Sequence, residues 1–367
     1  MKKNIYIFTR CVWTFINFRY DLVNQINKKK FKVFVCMDFD GYKKKDLEKK
    51  YKNISFIDIK FLNQKKSMIL DLKILVNLFL IFLNKKIDIV HNFTARPIVF
   101  VSLISFLFWK IKVINTITGL GNNFFQRKNL FKLIYNLIFL RSHKVIFQNN
   151  QDKKIIFSFI SSYINTSVIY PTVKFKKKLK FKKTGKKIIF LMHSRMIRQK
   201  GVIEYVKAAT YLKYKFKKKC FFYLIGDPDK NNPSSISQRY LNSLNLLKYR
   251  SVNYLPHTKN IFKYIKKSDV IVLPSYGEGL PASLLEALFL KKAVIATKVN
   301  GCLEIVKNNY NGFLVRPKNS QDLKDVFLKI INKPNLVNRF KKNSYRLYNK
   351  KFKKNSIKSY LKIYNHE

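Results

Sequence analysis

The order of apolar segments constrains this chain more than any single motif in it. Short runs rich in Val, Ile and Phe recur along its 367 residues, each bounded by polar residues and followed by a longer helical pattern. In the first half the runs are 5–8, 32–37, 54–59, 87–91, 112–117 and 144–148, with helical patterns near 14–27, 67–84, 97–109 and 127–140. The second half repeats the arrangement, with runs at 187–193, 220–226, 251–255, 269–274, 293–297 and 312–315 and helical patterns near 201–213, 235–247, 259–267, 281–290 and 320–332. Runs of this length and composition predict strands. Strands alternating with helices predict parallel βαβ units, because a parallel strand pair needs a long crossover. Two doubly wound α/β domains follow, joined by a lysine-dense stretch at 174–187 that reads as a solvated connection. Open sheets of this kind bind ligands outside the carboxyl ends of their strands, so two in tandem predict a cleft. The tail from Pro334 predicts one or two basic amphipathic helices.

Charge narrows the partners. There are 75 Lys and Arg against 19 Asp and Glu, a formal charge of +56. Such an excess attracts phosphates, whether of nucleotide, anionic lipid or nucleic acid. A/T-rich codons also produce it, since Asn, Ile, Phe and Tyr are abundant alongside Lys. Hydrophobic residues make up 47%, enough for a core in each half. Cys11, Cys36, Cys220 and Cys302 form no CxxC pair, so neither a disulfide framework nor a zinc site is predicted, and the expected compartment is a reducing cytoplasm. The start reads as a first strand, not a signal peptide. The most apolar runs, 74–83 and 98–109, fall short of the ~18–20 residues that span a bilayer. No GxxxxGK[ST] loop is present, "GLG" at 119–121 lacks the third glycine of a dinucleotide fingerprint, and no helix-turn-helix, zinc or RNA-binding motif appears. Nucleic acid is therefore not an expected partner.

The chemistry concentrates in "PSYGEGLPASLLEAL", residues 274–288. Glu278 sits in a turn after a strand, and Glu286 lies inside the helix that follows. Pro281 fits the first helical position, where its missing N–H costs nothing. Gly277 and Gly279 permit close backbone approach. The free N–H groups and dipole of the helix start suit an anion. Ser283 and Glu286 share one face by the i,i+3 rule, leaving Leu284, Leu285 and Leu288 for the core. A carboxylate there can accept two hydrogen bonds from a vicinal diol such as a ribose; spacing alone fits a surface glutamate equally well. Arg195 follows the strand ending at His193, and Lys200 and Gly201 open the next helix. Two cations thus approach helix N–H groups, Arg as a fork and Lys as a point charge for phosphate.

This stretch resembles the E-x7-E motif of glycosyltransferase family 4, whose fold is GT-B. "SRMIRQKGVIEYVKAA" (194–209), "FFYLIGDPDKNNP" (221–233), "AVIATKVNGCLEIV" (293–306) and "NGFLV" (311–315) are similar to the family in order and spacing. The likeness is strong over 185–325 and looser before. It implies two Rossmann-like domains facing across a cleft: an acceptor-side domain over 1–171, a nucleotide-sugar domain over 172–347, and a helix in 348–367 returning to the first. It implies a retaining hexosyltransferase in which Glu278 contacts the transferred sugar and Arg195 and Lys200 the donor diphosphate. Glu286 would hold the ribose, with Gly279, Leu280 and Ser283 beside the donor. No cofactor is implied beyond a nucleotide sugar, UDP-linked by the same resemblance, and no metal. "DFD" (38–40) and "DPD" (227–229) resemble the D-x-D metal clamp of the GT-A class, but Asp227 and Asp229 fall inside the family 4 match.

On the acceptor side, "TFINFR", "DIVHNFTARP" and "NTITGLGNNF" resemble members that extend lipid-linked bacterial surface glycans. The glycine-rich loop that many relatives carry after the first strand is replaced here by "TRCVWTFINFR". Thr118 stands where many relatives have a sugar-facing histidine, next to Gly119 in a loop running to Phe125. His91, ending the fourth strand, is expected near the cleft, either on an acceptor hydroxyl or as a strand cap, with Asn92, Thr94 and Arg96 beyond it. Apolar helices at 67–84 and 97–109 with lysines at their ends predict peripheral attachment to the inner, anionic face of the plasma membrane. Two other readings stay open: a GT-B sugar-nucleotide epimerase, and a non-enzymatic basic protein binding membrane or RNA.

Overall fold

The computed structural model of the chain describes residues 2–27, 31–61, 67–120, 128–158, 164–171, 173, 185, 187–216, 219–229, 232–246, 252–353 and 356–366. Most of the lysine stretch 174–187, the loop beyond Leu120 and Lys65 and Lys66 lie outside these residues. The chain forms two compact units, Met1–Tyr170 with Asn355–Glu367, and Pro171–Lys354.

The first unit holds a sheet of seven parallel strands: β1 (Lys3–Cys11), β2 (Phe31–Asp38), β3 (Ser55–Asp58), β4 (Ile89–Phe93), β5 (Lys112–Ile117), β6 (Lys144–Phe147) and β7 (Thr166–Val168), in the order β3-β2-β1-β4-β5-β6-β7. Winding reverses between β1 and β4. Strand β4, Ile-Val-His-Asn-Phe, is buried at every residue because helices cover both faces of a parallel sheet. After β1 the chain turns through α1 (Val12–Thr14), a π-helical turn (Phe15–Arg19) and α2 (Tyr20–Asn27). Helices α2, α3 (Lys44–Lys50) and the last helix of the chain bury Val23, Leu47, Tyr360 and Tyr364 against one face. Helices α4 (Met68–Asn84), α5 (Ala95–Ser105), α6 (Lys128–Arg141) and α7 (Asn150–Phe157) cover the other, through Leu78, Val101, Ile138 and Ile156. The edge strand β7, Thr-Ser-Val and half-buried, carries no apolar alternation and escapes the sequence pattern.

The second unit has six parallel strands: β8 (Ile188–His193), β9 (Cys220–Ile225), β10 (Asn253–Leu255), β11 (Val270–Leu273), β12 (Ala293–Thr297) and β13 (Gly312–Val315), in the order β10-β9-β8-β11-β12-β13. Here the winding reverses between β8 and β11. The connecting helices are α8 (Val202–Phe216), α9 (Gln238–Ser243), α10 (Ile261–Lys267), α11 (Ala282–Phe289), α12 (Asn300–Ile305), α13 (Ser320–Asn332) and α14 (Asn335–Leu347). Phe190 stacks on Phe222 with centroids 4.9 Å apart, and Phe327 of α13 closes on both. The two strands at the reversal are tied together before β11 begins: Asp269 Oδ2 accepts the Ile189 N–H at 3.0 Å, while Oδ1 takes the buried Lys341 Nζ at 2.5 Å. Residues 348–352 continue α14 as a π-helical turn, and the final helix, α15 (Ser356–His366), belongs to the first unit.

Candidate functional site

The site in the second unit is built from the two loops leaving the reversal. The loop after β8 carries Arg195, Gln199 and Lys200; the loop after β11 carries Ser275, Tyr276 and Glu278. Crossed loops at a reversal leave a crevice, which is why ligands of doubly wound sheets collect there. Gly201 lets the loops meet: its φ is +76° and an added Cβ would lie 2.1 Å from the Pro274 carbonyl oxygen. The Tyr276 N–H donates to the Gln199 carbonyl at 2.8 Å, locking loop to loop.

Lys200 Nζ donates to Glu278 Oε1 at 2.6 Å, and the Ser275 hydroxyl donates to the same oxygen at 2.6 Å. The pair is largely enclosed, with 10% of the Glu278 side chain and 21% of Lys200 exposed. The Thr297 hydroxyl holds the Ser275 carbonyl from the end of β12. Gly301 of α12 lies so close that a Cβ would sit 2.2 Å from the Gly279 oxygen, and its N–H donates to the Glu278 carbonyl at 3.1 Å. Beneath them Cys302 is buried. Burial pushes its thiol well up, the Glu278 charge adds to this, and Lys200 opposes it. Arg195 reaches the other way: its Nη1 meets Asp229 Oδ2 at 2.6 Å. The second cation of the site is thus also held by a carboxylate. Tyr276 donates its hydroxyl to Glu204 Oε1 at 2.7 Å. At the end of β8, burial holds the His193 imidazole down to about 4.

Helix α11 buries Leu284, Leu285, Ala287 and Leu288, leaving half-buried Ser283 and Glu286 on the other side, as the spacing predicts. Leu280 is half-buried in the loop, and Pro281, with φ −70° and ψ 114°, is the N-cap, not the first helical residue. Neither Gly277 nor Gly279 has a positive φ; the left-handed turn falls at Gly201 instead. Sequence reasoning missed Ser275, Gln199 and Gly301. Ser275 lies three residues from Glu278, and this spacing was the available clue.

In the first unit the reading of His91 is corrected. His91 is fully buried mid-sheet, its Nδ1 bonded to the Tyr364 hydroxyl and its Nε2 to Thr116 Oγ1 at 2.7 Å. Burial, and then the Arg19 charge, hold it well below its ordinary value. A ring enclosed this way is a core group under α15, not a contact for an acceptor hydroxyl. Asn92 is buried too, its Nδ2 donating to Asn115 Oδ1 at 2.8 Å, and Arg96 pairs with Asp71. Thr118 and Gly119, with φ +149° at the glycine, follow β5 and are half-buried. The D-x-D carboxylates are engaged by protein: Asp227 Oδ1 accepts the His257 N–H at 2.8 Å, Asp229 holds Arg195, and Asp38 Oδ1 lies 3.5 Å from Lys60.

Comparison with known proteins agrees with this geometry. The profile of glycosyl transferases group 1 matches residues 173–347, and that of glycosyl transferase 4-like proteins matches 6–149. The N,N'-diacetylbacillosaminyl-diphospho-undecaprenol alpha-1,3-N-acetylgalactosaminyltransferase of Campylobacter jejuni is 29% identical over 333 residues, covering 84% of each chain. An Escherichia coli UDP-Gal:alpha-D-GlcNAc-diphosphoundecaprenol alpha-1,3-galactosyltransferase is 28% identical over 267 residues, 68% of this chain and 67% of its own. Among solved structures, Anabaena HepE in complex with UDP superposes with a TM-score of 0.71 at 17% identity over 99% of both chains. Sucrose-phosphate synthase of Thermosynechococcus elongatus gives 0.74 at 16% identity over 100% of both. Two profiles matched in order, on two doubly wound sheets whose paired Lys200 and Glu278 stand at a reversal of winding, place the chain in the family: it belongs to the group 1, family 4-like glycosyltransferases of GT-B fold and is a hexosyltransferase.

Proposed function

We propose that this enzyme moves a hexose or N-acetylhexosamine from a UDP-sugar to a polyprenyl-diphosphate-linked glycan, with retention of configuration, in surface polysaccharide or glycoprotein glycan assembly. The epimerase and the non-enzymatic readings fall away with the family. The observation that carries the proposal is the pairing of Arg195 and Lys200 with Asp229 and Glu278. Carboxylates that hold two cations in place beforehand let a diphosphate bind without reorganising them, which is the condition for stabilising charge as the leaving group departs. Glu278 contacts the transferred sugar, Glu286 the ribose hydroxyls, and Gly279, Leu280 and Ser283 line the donor. The departing phosphate accepts the proton of the attacking hydroxyl. In the first unit, Thr118 and Gly119 are assigned to substrate binding. The step is proposed to need no metal, a reading supported by the engagement of Asp227 with the His257 N–H and of Asp229 with Arg195. The relatives' printed acceptors, undecaprenyl-diphosphate sugars, support the acceptor class.

A lipid-linked acceptor would bring the reaction to a membrane, and the exposed apolar residues of the first unit support attachment there. None of the described helices is long and apolar enough to cross one. Helix α4 instead exposes Met68 (85%), Ile69, Leu72 (62%), Val76, Leu80 and Leu83, a stripe at helical spacing. Leu107 and Trp109 (67%) follow α5, and α6 adds Leu133, Leu137 and Leu140 (64%). These three helices are neighbours on one side of the sheet. Exposed lysines 73, 85, 86, 110 and 132 accompany them, while Asp71, the one acid in the three helices, pairs with Arg96. An apolar face flanked by cations seats in the headgroup layer of an anionic bilayer. The test is transfer from a panel of labelled UDP-sugars to a polyprenyl-diphosphate-linked monosaccharide, with anionic vesicles and with excess chelator. Transfer that survives the chelator supports the reading. No transfer from any UDP-sugar, or loss of activity restored by Mn²⁺, refutes the donor or the metal-independent step.

A further inference from the structure

Two arginines buried in the first unit are used in opposite ways. Arg141 is 2% exposed, and its donors are filled by chain carbonyls: Nε to Ser105 at 2.7 Å, Nη2 to Phe108 and Ile111 at 2.8 Å each. It clamps the end of α5. Arg19 is 8% exposed and, among the described residues, makes one long bond, Nη1 to the Phe18 carbonyl at 3.2 Å. Its Nε is buried with no partner, and none of its contacts among the described residues is a carboxylate. Its guanidinium carbon lies 4.0 Å above the Phe93 ring, with Tyr360 and Tyr364 close by. A buried cation without a counter-charge is costly, and cation–π contact offsets only part of that cost. Burial lowers its pKa to about 10, so it is charged at neutral pH.

Its place in the fold gives the cost a purpose. Arg19 ends the π-helical turn that follows β1, and Phe93 is the last residue of β4. These are the two strands between which the first unit reverses its winding. Thr94, next to Phe93, holds φ +71°, a strained value for a β-branched residue. Arg19 thus occupies in the first unit the position that Lys200 and Glu278 occupy in the second.

We infer that Arg19 is an anion receptor for a diphosphate distinct from the donor's, offering its guanidinium charge to the phosphoryl oxygens while Phe93 fixes the plane of the group. Arginine suits this better than lysine because its planar fork matches two phosphoryl oxygens. Resting on the function proposed above, the natural ligand is the diphosphate of the lipid-linked acceptor.

The test uses the full chain with Arg19→Met, which removes the charge at similar bulk, and Arg19→Lys, which keeps the charge without the fork. Inorganic diphosphate is titrated calorimetrically into enzyme saturated with UDP, so that the donor site is closed to it. Wild type binds it; Arg19→Met binds at least about tenfold more weakly, with Arg19→Lys between. The melting temperature of Arg19→Met equals or exceeds that of wild type, since an uncompensated buried charge is gone. With a polyprenyl-diphosphate acceptor, the acceptor KM rises and the donor KM does not. Equal diphosphate binding by wild type and Arg19→Met, or a lowered melting temperature with unchanged binding by Arg19→Lys, makes Arg19 a structural residue and overturns the inference. If diphosphate binding depends on Arg19 yet wild type glycosylates no diphosphate-linked acceptor, the anion site stands and the acceptor class proposed above falls.

Discussion

Removing either member of the Lys200–Glu278 pair strands the other, and a double-mutant cycle of Lys200→Met with Glu278→Gln measures this. The separation is 2.6 Å, and the two side chains are 21% and 10% exposed. At an effective dielectric near 20, unit charges 4 Å apart attract by about 4 kcal/mol, but desolvation cancels much of this. What survives is a charged hydrogen bond, ~1.5–3 kcal/mol. The residual exposure of Lys200 places it at the low end, about 1.5 kcal/mol. Glu278→Gln keeps an oxygen for the Ser275 hydroxyl, so the cycle reports on the charge pair. Each single variant should cost about 2 kcal/mol and the double about 2.5, a coupling near 1.5 kcal/mol in urea unfolding. Additivity within ~0.5 kcal/mol would refute the argument that this pair is enclosed and mutually compensating. The kinetic counterpart is a fall in kcat/KM of about a hundredfold or more for Lys200→Met and for Arg195→Ala, the size associated with losing one donor to a developing anion.

Glu286→Ala should raise the donor KM and leave kcat nearly unchanged, because a ribose contact is equal in ground and transition states; a large fall in kcat at saturating donor contradicts the ribose role. Gly201→Ala forces a left-handed alanine whose Cβ meets the Pro274 oxygen at 2.1 Å, so a loss of about 3 kcal/mol, or roughly 6 °C in Tm, is expected; a shift below 2 °C by calorimetry argues against the close approach. The histidines set a pH dependence. His91 and His193 have folded pKa values below the ordinary 6.5, through burial in both cases. Below pH 6.5 the unfolded chain takes up protons that the folded chain refuses, so stability falls as pH drops, by about 1.4 kcal/mol per pH unit for each histidine. His193→Asn should make Tm less sensitive to pH between 6 and 4, and an unchanged sensitivity disproves the assignment. Flotation with anionic vesicles should weaken when Leu72, Trp109 and Leu140 are all changed to Ser and when salt is raised; association of two protein copies, abolished by the same changes, would show that the apolar face seats another protein.

Alternation of apolar runs and helical patterns dictated the parallel sheets, since a chain of βαβ units has few ways to bury both faces of its strands. Strands β5, β12 and β13 and helix α13 fall where the pattern places them, residue for residue. The segment from Pro274 to Leu288 was legible because its chemistry is local: turn, helix start and helix face all follow from neighbours a few residues apart. Facts that depend on which strands become neighbours were not legible. Lys200 and Glu278 are separated by 78 residues and meet because β8 and β11 are adjacent at a reversal of winding. His91 looked like a strand-end group, but α15 returns 273 residues later to place Tyr364 on its Nδ1, and this turns the residue into core. No local pattern separates Arg19 from Arg141, both basic residues in apolar surroundings. Tertiary packing decided between them, giving three carbonyl bonds to Arg141 and leaving Arg19 with one long bond and a buried Nε that has no partner.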